Sequence, residues 1–277
     1  MCRVLTVASA NVNGVRAARR RGGVAWLAAQ DADVVCLQEV RATDEQLAES
    51  LAGTGLAAYR VAHTEAATLG RAGVAILSRT EPTAIRYGVG RREFARAGRW
   101  VEVDLATDAG PLTVVSTYLP TGEARTSRQL AKQRFLDAMS RRMGTLRRLT
   151  EDGGGFAVVT GDLNIAHAEA DLKNWLGNRG KSGWLPEERA YLDRWLARDA
   201  WVDVTRRLHG VGPGPYSWWS WRGQAFDTDT GWRIDYQLAT RELAARAVSC
   251  AIGRAASYAE RWSDHAAVVA RYDLTLA

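Results

Sequence analysis

Eight short apolar runs recur along the chain: Val4–Ala8, Val34–Leu37, Val74–Leu77, Val101–Leu105, Leu112–Thr117, Phe156–Thr160, Ile234–Leu238 and Ala266–Ala270. Many are apolar on both faces, with no polar alternation, which is how strands read when neither side meets water. A chain built on such strands needs partners on both sides of its sheets, and two stacked sheets clad outside by helices supply them. Segments of helical period stand between the runs: Gly23–Gln30, Asp44–Ala52, the long Ser127–Leu149, and Pro186–Ala197. The last has Pro186 in its first turn and Glu187 and Glu188 placed to suit the helix dipole. Thr80–Arg99 and Gly210–Trp232 are richer in loop residues. No repeat, linker or shift in composition marks a boundary, so both read as surface excursions of one domain over residues 1–277.

Composition narrows the setting. No apolar run approaches the roughly 20 residues that span a bilayer, and Met1–Thr6 reads directly as a strand without signal-peptide architecture. The three cysteines, Cys2, Cys36 and Cys250, are odd in number and lack metal-ligand spacing, which argues against a disulfide framework. Cys36 sits in an apolar run and reads as a buried small hydrophobe. These features predict a protein of the reducing cytoplasm. The net charge of +6 permits a polyanionic partner. Only three of the 37 basic residues are lysine, and alanine and glycine abound, so genome composition accounts for the arginines as well as DNA binding does.

Polar residues cluster where the apolar runs end. Val4–Ala8 leads to Asn11-Val12-Asn13-Gly14-Val15-Arg16, Val34–Leu37 to Gln38-Glu39, and Phe156–Thr160 to Gly161-Asp162-Leu163-Asn164. Near the carboxyl end stand Trp232-Arg233-Ile234-Asp235-Tyr236 and Ser263-Asp264-His265. In extended chain, residues i and i+2 share a side, so Asn11 with Asn13, and Asp162 with Asn164, are each expected to face one cleft.

Phosphodiester hydrolysis needs this inventory. A hard cation such as Mg²⁺ takes one or two protein carboxylates, and Glu39 is the natural ligand. An attacking water needs an acceptor, which Asp162 offers. Developing phosphoryl charge needs donors, which Asn164, His265 and Asn11 offer. Asp235 is suited to hold the histidine through its other ring nitrogen. Each piece alone also has a plainer meaning. Glu39 reads equally as a solvated strand end, Asp-x-Asn as a turn bonded to nearby backbone, and Ser263-Asp264-His265 as a turn opening the last strand. The order and combination are what is specific.

In that order the motifs resemble those of the exonuclease III-type AP endonucleases, within the endonuclease/exonuclease/phosphatase superfamily. The resemblance runs end to end and includes Tyr118-Leu119-Pro120, Ser182-Gly183-Trp184-Leu185-Pro186-Glu187-Glu188-Arg189 and Tyr216-Ser217-Trp218-Trp219-Ser220-Trp221-Arg222. The last two are the more specific, because the wider superfamily shares the acids but generally lacks these segments. The resemblance implies a four-layer α/β sandwich, two packed mixed sheets flanked by helices, with the site between the sheets. It implies Mg²⁺, with Mn²⁺ as the alternative, bound by Glu39 with Asn11 and Asn13 nearby. It implies Asp162 positioning or deprotonating the water beside Asn164, Tyr118 on the phosphate or leaving group, an Asp235–His265 pair, and Asp264 near the metal or leaving group. Two departures stand out. Asn13 occupies a place where some members carry aspartate, and an amide coordinates weakly. Thr121 stands where relatives often place an amide.

The partner implied is double-stranded DNA with abasic sites or 3′ ends, acted on by a monomer with no membrane association. Eleven tryptophans are many for this length. Core packing is the expectation for Trp201 and Trp219. By resemblance, Trp218, Trp232 and Ile234 line a tight apolar pocket that admits a flipped baseless sugar and excludes a normal nucleotide, and Arg222 reaches into the DNA from a loop as wedge or phosphate partner. The basic residues of Ser127–Leu149 read mostly as a solvated face. Arg128 and Lys132 are the exceptions, close enough to the Tyr118 turn to meet the DNA backbone. Two rivals remain. A lipid or small-molecule phosphoesterase would share the acids but need neither tryptophans nor the arginine loop. A binding protein with a lost site would lack a Glu, Asp or His, and all are present.

Overall fold

The structure, a computed structural model, describes residues 4–68 and 70–277; the strand reading of residues 1–3, and Cys2, lie outside the described residues. Twelve strands form two six-stranded sheets. The first contains β1 (Leu5–Asn11), β2 (Val34–Gln38), β3 (Arg60–Thr64), β4 (Val74–Ser78), β11 (Ala247–Gly253) and β12 (Ala267–Tyr272), in the order β11-β12-β1-β2-β4-β3. The second contains β5 (Ala84–Tyr87), β6 (Trp100–Thr107), β7 (Gly110–Tyr118), β8 (Phe156–Asp162), β9 (Val202–Asp203) and β10 (Asp235–Ala239), in the order β5-β6-β7-β8-β10-β9. Each sheet is antiparallel except at its centre, where β1 runs parallel to β2 and β7 parallel to β8.

The eight apolar runs became the eight interior strands. The four strands that sequence reading missed, β3, β5, β9 and β11, are the four sheet edges. Each of the three longer ones exposes part of its length, so none carries a continuous apolar run. Ala84–Tyr87 falls inside the stretch expected to be loop.

Side-chain parity along the interior strands explains the layers. Val7, Cys36, Val114 and Val158 pack into one core between the sheets. Their neighbours Ala8, Leu37, Val115 and Val159 face outward. Helices α1 (Val15–Arg20), α2 (Gly23–Ala29) and α3 (Asp44–Leu51) adjoin the first sheet, whose outer face packs on Val15, Leu27 and Leu47. Helices α4 (Ser127–Gly153) and α5 (Pro186–Leu196) cover the second through Phe135, Met139, Leu192 and Trp195. Helices α6 (Val204–His209) and α7 (Arg241–Ala245) pack at the interior core through Val204 and Leu243. The result is the expected four-layer α/β/β/α sandwich. Cys36 is buried between the sheets, and burial pushes its thiol up to about 12, so it behaves as the small hydrophobe expected. No helix among the described residues is long and apolar enough to cross a membrane.

Candidate active site

The inward parity that builds the core also builds the site. Stepping by two from Val7, Val114 and Val158 reaches Asn11, Tyr118 and Asp162, the last residues of β1, β7 and β8. Glu39 follows β2 at once. Asp235 opens β10, directly opposite Asp162 in the antiparallel register, and Asp264 and His265 precede β12. All therefore converge at one end of the sandwich, between the sheets. Glu39, Tyr118, Asp162, Asn164, Asp264 and His265 line a single cavity of about 340 Å³ with Trp218, Trp232 and Ile234.

Gly161 makes part of this possible. Its φ is +132°, and a Cβ there would lie 1.9 Å from the Thr117 carbonyl oxygen, so only glycine lets β8 approach β7 closely enough to set Asp162 beside Tyr118. The strands then break in matching fashion. Asn13 and Asn164 both adopt left-handed φ, 47° and 49°, and each donates its backbone N–H two residues back, to Asn11 Oδ1 at 3.0 Å and to Asp162 Oδ1 at 2.8 Å. The plain turn reading of these motifs is realised, and the turn orients the carboxylate. Extended-chain parity beyond Asn11 and Asp162 does not hold, because the strands end there.

Asn11 stands at the centre of the cluster. Its Nδ2 donates to Glu39 Oε1 and to Asp162 Oδ2, both at 3.0 Å, while its Oδ1 accepts from Asn13. Expected beside the metal in support of the cluster, Asn11 thus brackets two carboxylates with its nitrogen while its oxygen accepts from the Asn13 backbone. Asn13, also expected near the metal, directs its Nδ2 to Asp264 Oδ1 at 2.8 Å. Glu39, with φ +51°, pairs with Arg41. Tyr118 lies under the Arg99 guanidinium, 4.6 Å from its ring centroid. Burial, with Glu39 and Asp162 adding repulsion, pushes its phenol above the usual range and keeps it protonated.

His265 Nδ1 meets Asp235 Oδ2 at 2.9 Å, and its Nε2 lies 3.7 Å from Asp162 Oδ2. Burial disfavours the imidazolium, but Asp235, Asp162 and Asp264 outweigh it and raise the histidine to about 10. Burial also raises Asp162; the His265 charge opposes this, and Asp235 and Glu39 reinforce it. Sequence reading missed Ser217, which donates to Asp235 Oδ2 at 2.6 Å and accepts from the Ile234 and Asp235 backbone at 3.1 Å. Its place just before Trp218 was the available signal. It missed Arg99 as well, which only strand pairing brings to Tyr118.

Trp218 and Trp232 meet edge to face, 6.2 Å apart at 84°, and Trp218 Nε1 donates to Asp264 Oδ2 at 3.1 Å. Ile234 is buried behind them. Trp201 and Trp219 are core residues, as expected. Arg222 and Arg128 are exposed. Arg128 borders an adjoining cavity of about 460 Å³ on the far side of Glu39 and Tyr118, together with Arg41, Arg71 and Arg99. Lys132 corrects the expectation of a backbone contact. It is 0 % exposed, lies 2.7 Å from Glu188 Oε1, and donates to the Asn164 carbonyl at 2.9 Å. Its ammonium borders the site cavity but is committed to these partners. Asp44, His63 and Glu65 form a separate acidic group, none of whose members lines the site cavity.

A profile of the Endonuclease/Exonuclease/phosphatase family matches residues 8–265. An exodeoxyribonuclease of Bacillus subtilis is 33 % identical over 84 % of this chain and 87 % of its own. Exodeoxyribonuclease III of Haemophilus influenzae is 32 % identical over 95 % of this chain and 98 % of its own. The structure of an AP endonuclease from Archaeoglobus fulgidus superposes with a TM-score of 0.80 at 26 % identity, covering 97 % of this chain and 99 % of that one. A profile match over nearly the whole sandwich, with relatives above 30 % identity along most of their length, places this chain in the endonuclease/exonuclease/phosphatase family.

Proposed function

We propose that the protein is a divalent-metal-dependent DNA phosphodiesterase of base-excision repair, which nicks 5′ of abasic sites and trims 3′ ends. The observation that carries this reading is the shared cavity: hydrolytic carboxylates and a paired histidine open directly onto a tryptophan wall. Relatives named as exodeoxyribonucleases and a structural neighbour named as an AP endonuclease support both modes of cutting.

The residues fit a hard cation. Glu39, Asp162, Asp235 and Asp264 converge against the His265 ring and Arg41, leaving excess negative charge among oxygen donors. Glu39 would hold the ion, with Asp264 beside it, and Mg²⁺ suits so few protein ligands. Such an ion supplies positive charge for the phosphate oxygens and acidifies bound water. The chain's own groups do the rest. Asp162, fixed by Asn11 and Asn164, takes the proton of the attacking water. The His265 imidazolium, held by Asp235 and Ser217, donates to a phosphoryl oxygen as charge builds. Tyr118, kept protonated, is a second donor toward phosphate or leaving group. Trp218, Trp232 and Ile234 receive the extruded sugar, and Arg41, Arg71, Arg99 and Arg128 receive neighbouring phosphates.

The deciding experiment compares three labelled duplexes, with an internal abasic site, a recessed normal 3′ end or a 3′-phosphate, each with Mg²⁺ and with EDTA. Metal-dependent nicking 5′ of the abasic site is the expected result. No cleavage of any duplex by folded protein would overturn the reading. The tryptophan wall is tested separately. Trp232→Ala is expected to lower kcat/KM on abasic DNA about 10-fold more than on a recessed 3′ end, since shape selection needs the filled wall. Equal losses on both substrates would refute the pocket.

A further inference from the structure

One buried cation joins the loop that carries Arg222 to the segment that carries Asp264 and His265. Arg261 is 5 % exposed. Its Nη2 donates to the carbonyls of Trp219 at 2.5 Å and Asp264 at 3.2 Å, and its Nη1 reaches the Ser220 carbonyl at 3.5 Å. Its guanidinium carbon lies 4.1 Å from the ring centroid of Trp221, 4.7 Å from that of Phe226 and 5.5 Å from that of Tyr258. The Asp264 carbonyl also accepts from the Trp219 N–H at 3.1 Å. Trp221 is held by two further contacts. Arg21, the residue after α1, lies 5.2 Å from its ring, and the Tyr258 hydroxyl donates to its carbonyl at 3.2 Å.

The chemistry requires arginine. A planar guanidinium presents donors in its plane and leaves its faces for aromatic rings, so one group can tie three carbonyls and stack at the same time. A lysine ammonium has no plane to do this. The pattern spans two places with different tasks: residues 218–222 run from the pocket wall at Trp218 out to the exposed Arg222, and residues 263–265 carry the groups that act on phosphate.

We propose that Arg261 is a positioning residue that locks the Arg222 loop and the Asp264–His265 segment into one body, so that DNA engaging the loop sets the placement of Asp264 and His265. The proposal rests on the DNA-cleaving function above and names how that site distinguishes substrates. An internal site presents duplex on both sides of the scissile bond and engages the loop more fully than a terminal one. Coupling through Arg261 therefore favours incision within a duplex over trimming of an end.

The test uses Arg261→Met and Arg261→Lys, with Trp221→Leu breaking the same clamp from the aromatic side should the arginine variants fail to fold. Two readouts are taken on the full chain: hydrogen exchange by mass spectrometry, and kcat and KM on internal abasic DNA and on a recessed 3′ end. Exchange is expected to rise together in peptides covering 217–230 and 262–266, with β7 and β8 unchanged. On abasic DNA kcat is expected to fall on the order of 10²-fold, the cost of a small misplacement of reacting groups, with a clearly smaller fall on the 3′ end and no rescue by lysine. Exchange that rises in only one of the two segments, or equal losses on both substrates, would overturn the proposal. A wild-type protein that cleaves neither DNA defeats the proposed function instead, and the exchange result still decides the coupling.

Discussion

Asp162→Asn is expected to lower turnover by about 10²–10⁴-fold while DNA binding in the presence of metal ion persists, because that is the range a positioned general base contributes. The residue is almost fully buried at the end of β8, and three donors already fix it: the Asn164 N–H at 2.8 Å, Asn164 Nδ2 at 3.3 Å and Asn11 Nδ2 at 3.0 Å. Asparagine keeps the shape, yet an amide nitrogen in place of Oδ2 would face two other amide donors, so some stability is lost along with the base. Melting temperature therefore has to be recorded with turnover. A second readout separates lost charge from lost folding. Asp162 is one of the carboxylates that raise His265 to about 10, against burial. Removing its charge must move the histidine's titration down, toward neutrality, while Asp235 keeps part of the elevation. NMR titration of the ring should show that downward shift in folded Asp162→Asn. Near-normal turnover in that folded variant would sink the assignment of the base.

How much of this was legible before the fold was known follows from what each residue faces. Interior strands announce themselves because both faces are buried: Val34–Gln38 and Val74–Ser78 are buried at every position. Ala84–Tyr87 is half-exposed or exposed at each of its four, and as an edge it has no reason to be otherwise. The site was legible at strand ends for a related reason. Asn11, Tyr118 and Asp162 occupy inward positions in phase with the core, so polarity there contradicts the pattern and marks a place where burial serves chemistry. Partners distant in sequence were not legible. Nothing near Lys132 identifies Glu188 as its counter-ion, and in a helix as rich in basic residues as α4 its buried face looks like the solvated one. Asn11 was singled out for its amide, but whether oxygen or nitrogen turns inward depends on Glu39, Asp162 and Asn13 together. Arg261 carried no signal, since most of its partners are carbonyls and rings of a loop about 40 residues away.

Arg233→Met is expected to destabilise the fold by about 3–5 kcal/mol, the usual consequence of removing one member of a buried ion pair. Arg233 is 1 % exposed; its Nε and Nη2 donate to Asp171 at 2.7 and 3.0 Å, and its Nη1 lies 2.7 Å from Asp203 Oδ2. Asp171 retains Arg206 after the substitution, but among the described residues Asp203 keeps no cation and only the Arg206 N–H at its other oxygen. A buried carboxylate left in that state costs more than methionine regains by packing. For a chain of this length the loss corresponds to a fall in Tm of about 5–10 °C. The consequence reaches the site because Arg233 stands between Trp232 and Ile234, and its own N–H donates to the Asp171 carbonyl at 2.8 Å. The ion pair therefore anchors both pocket residues to the segment after β8. Thermal melting of Arg233→Met and Arg233→Lys measures the first effect. Lysine keeps the charge but cannot make the two-pronged contact with Asp171, so its Tm should fall between methionine's and the wild type's. An Arg233→Met protein that melts within about 2 °C of wild type would show that the carboxylates find solvent or other partners, and that the wall of the pocket does not depend on this pair.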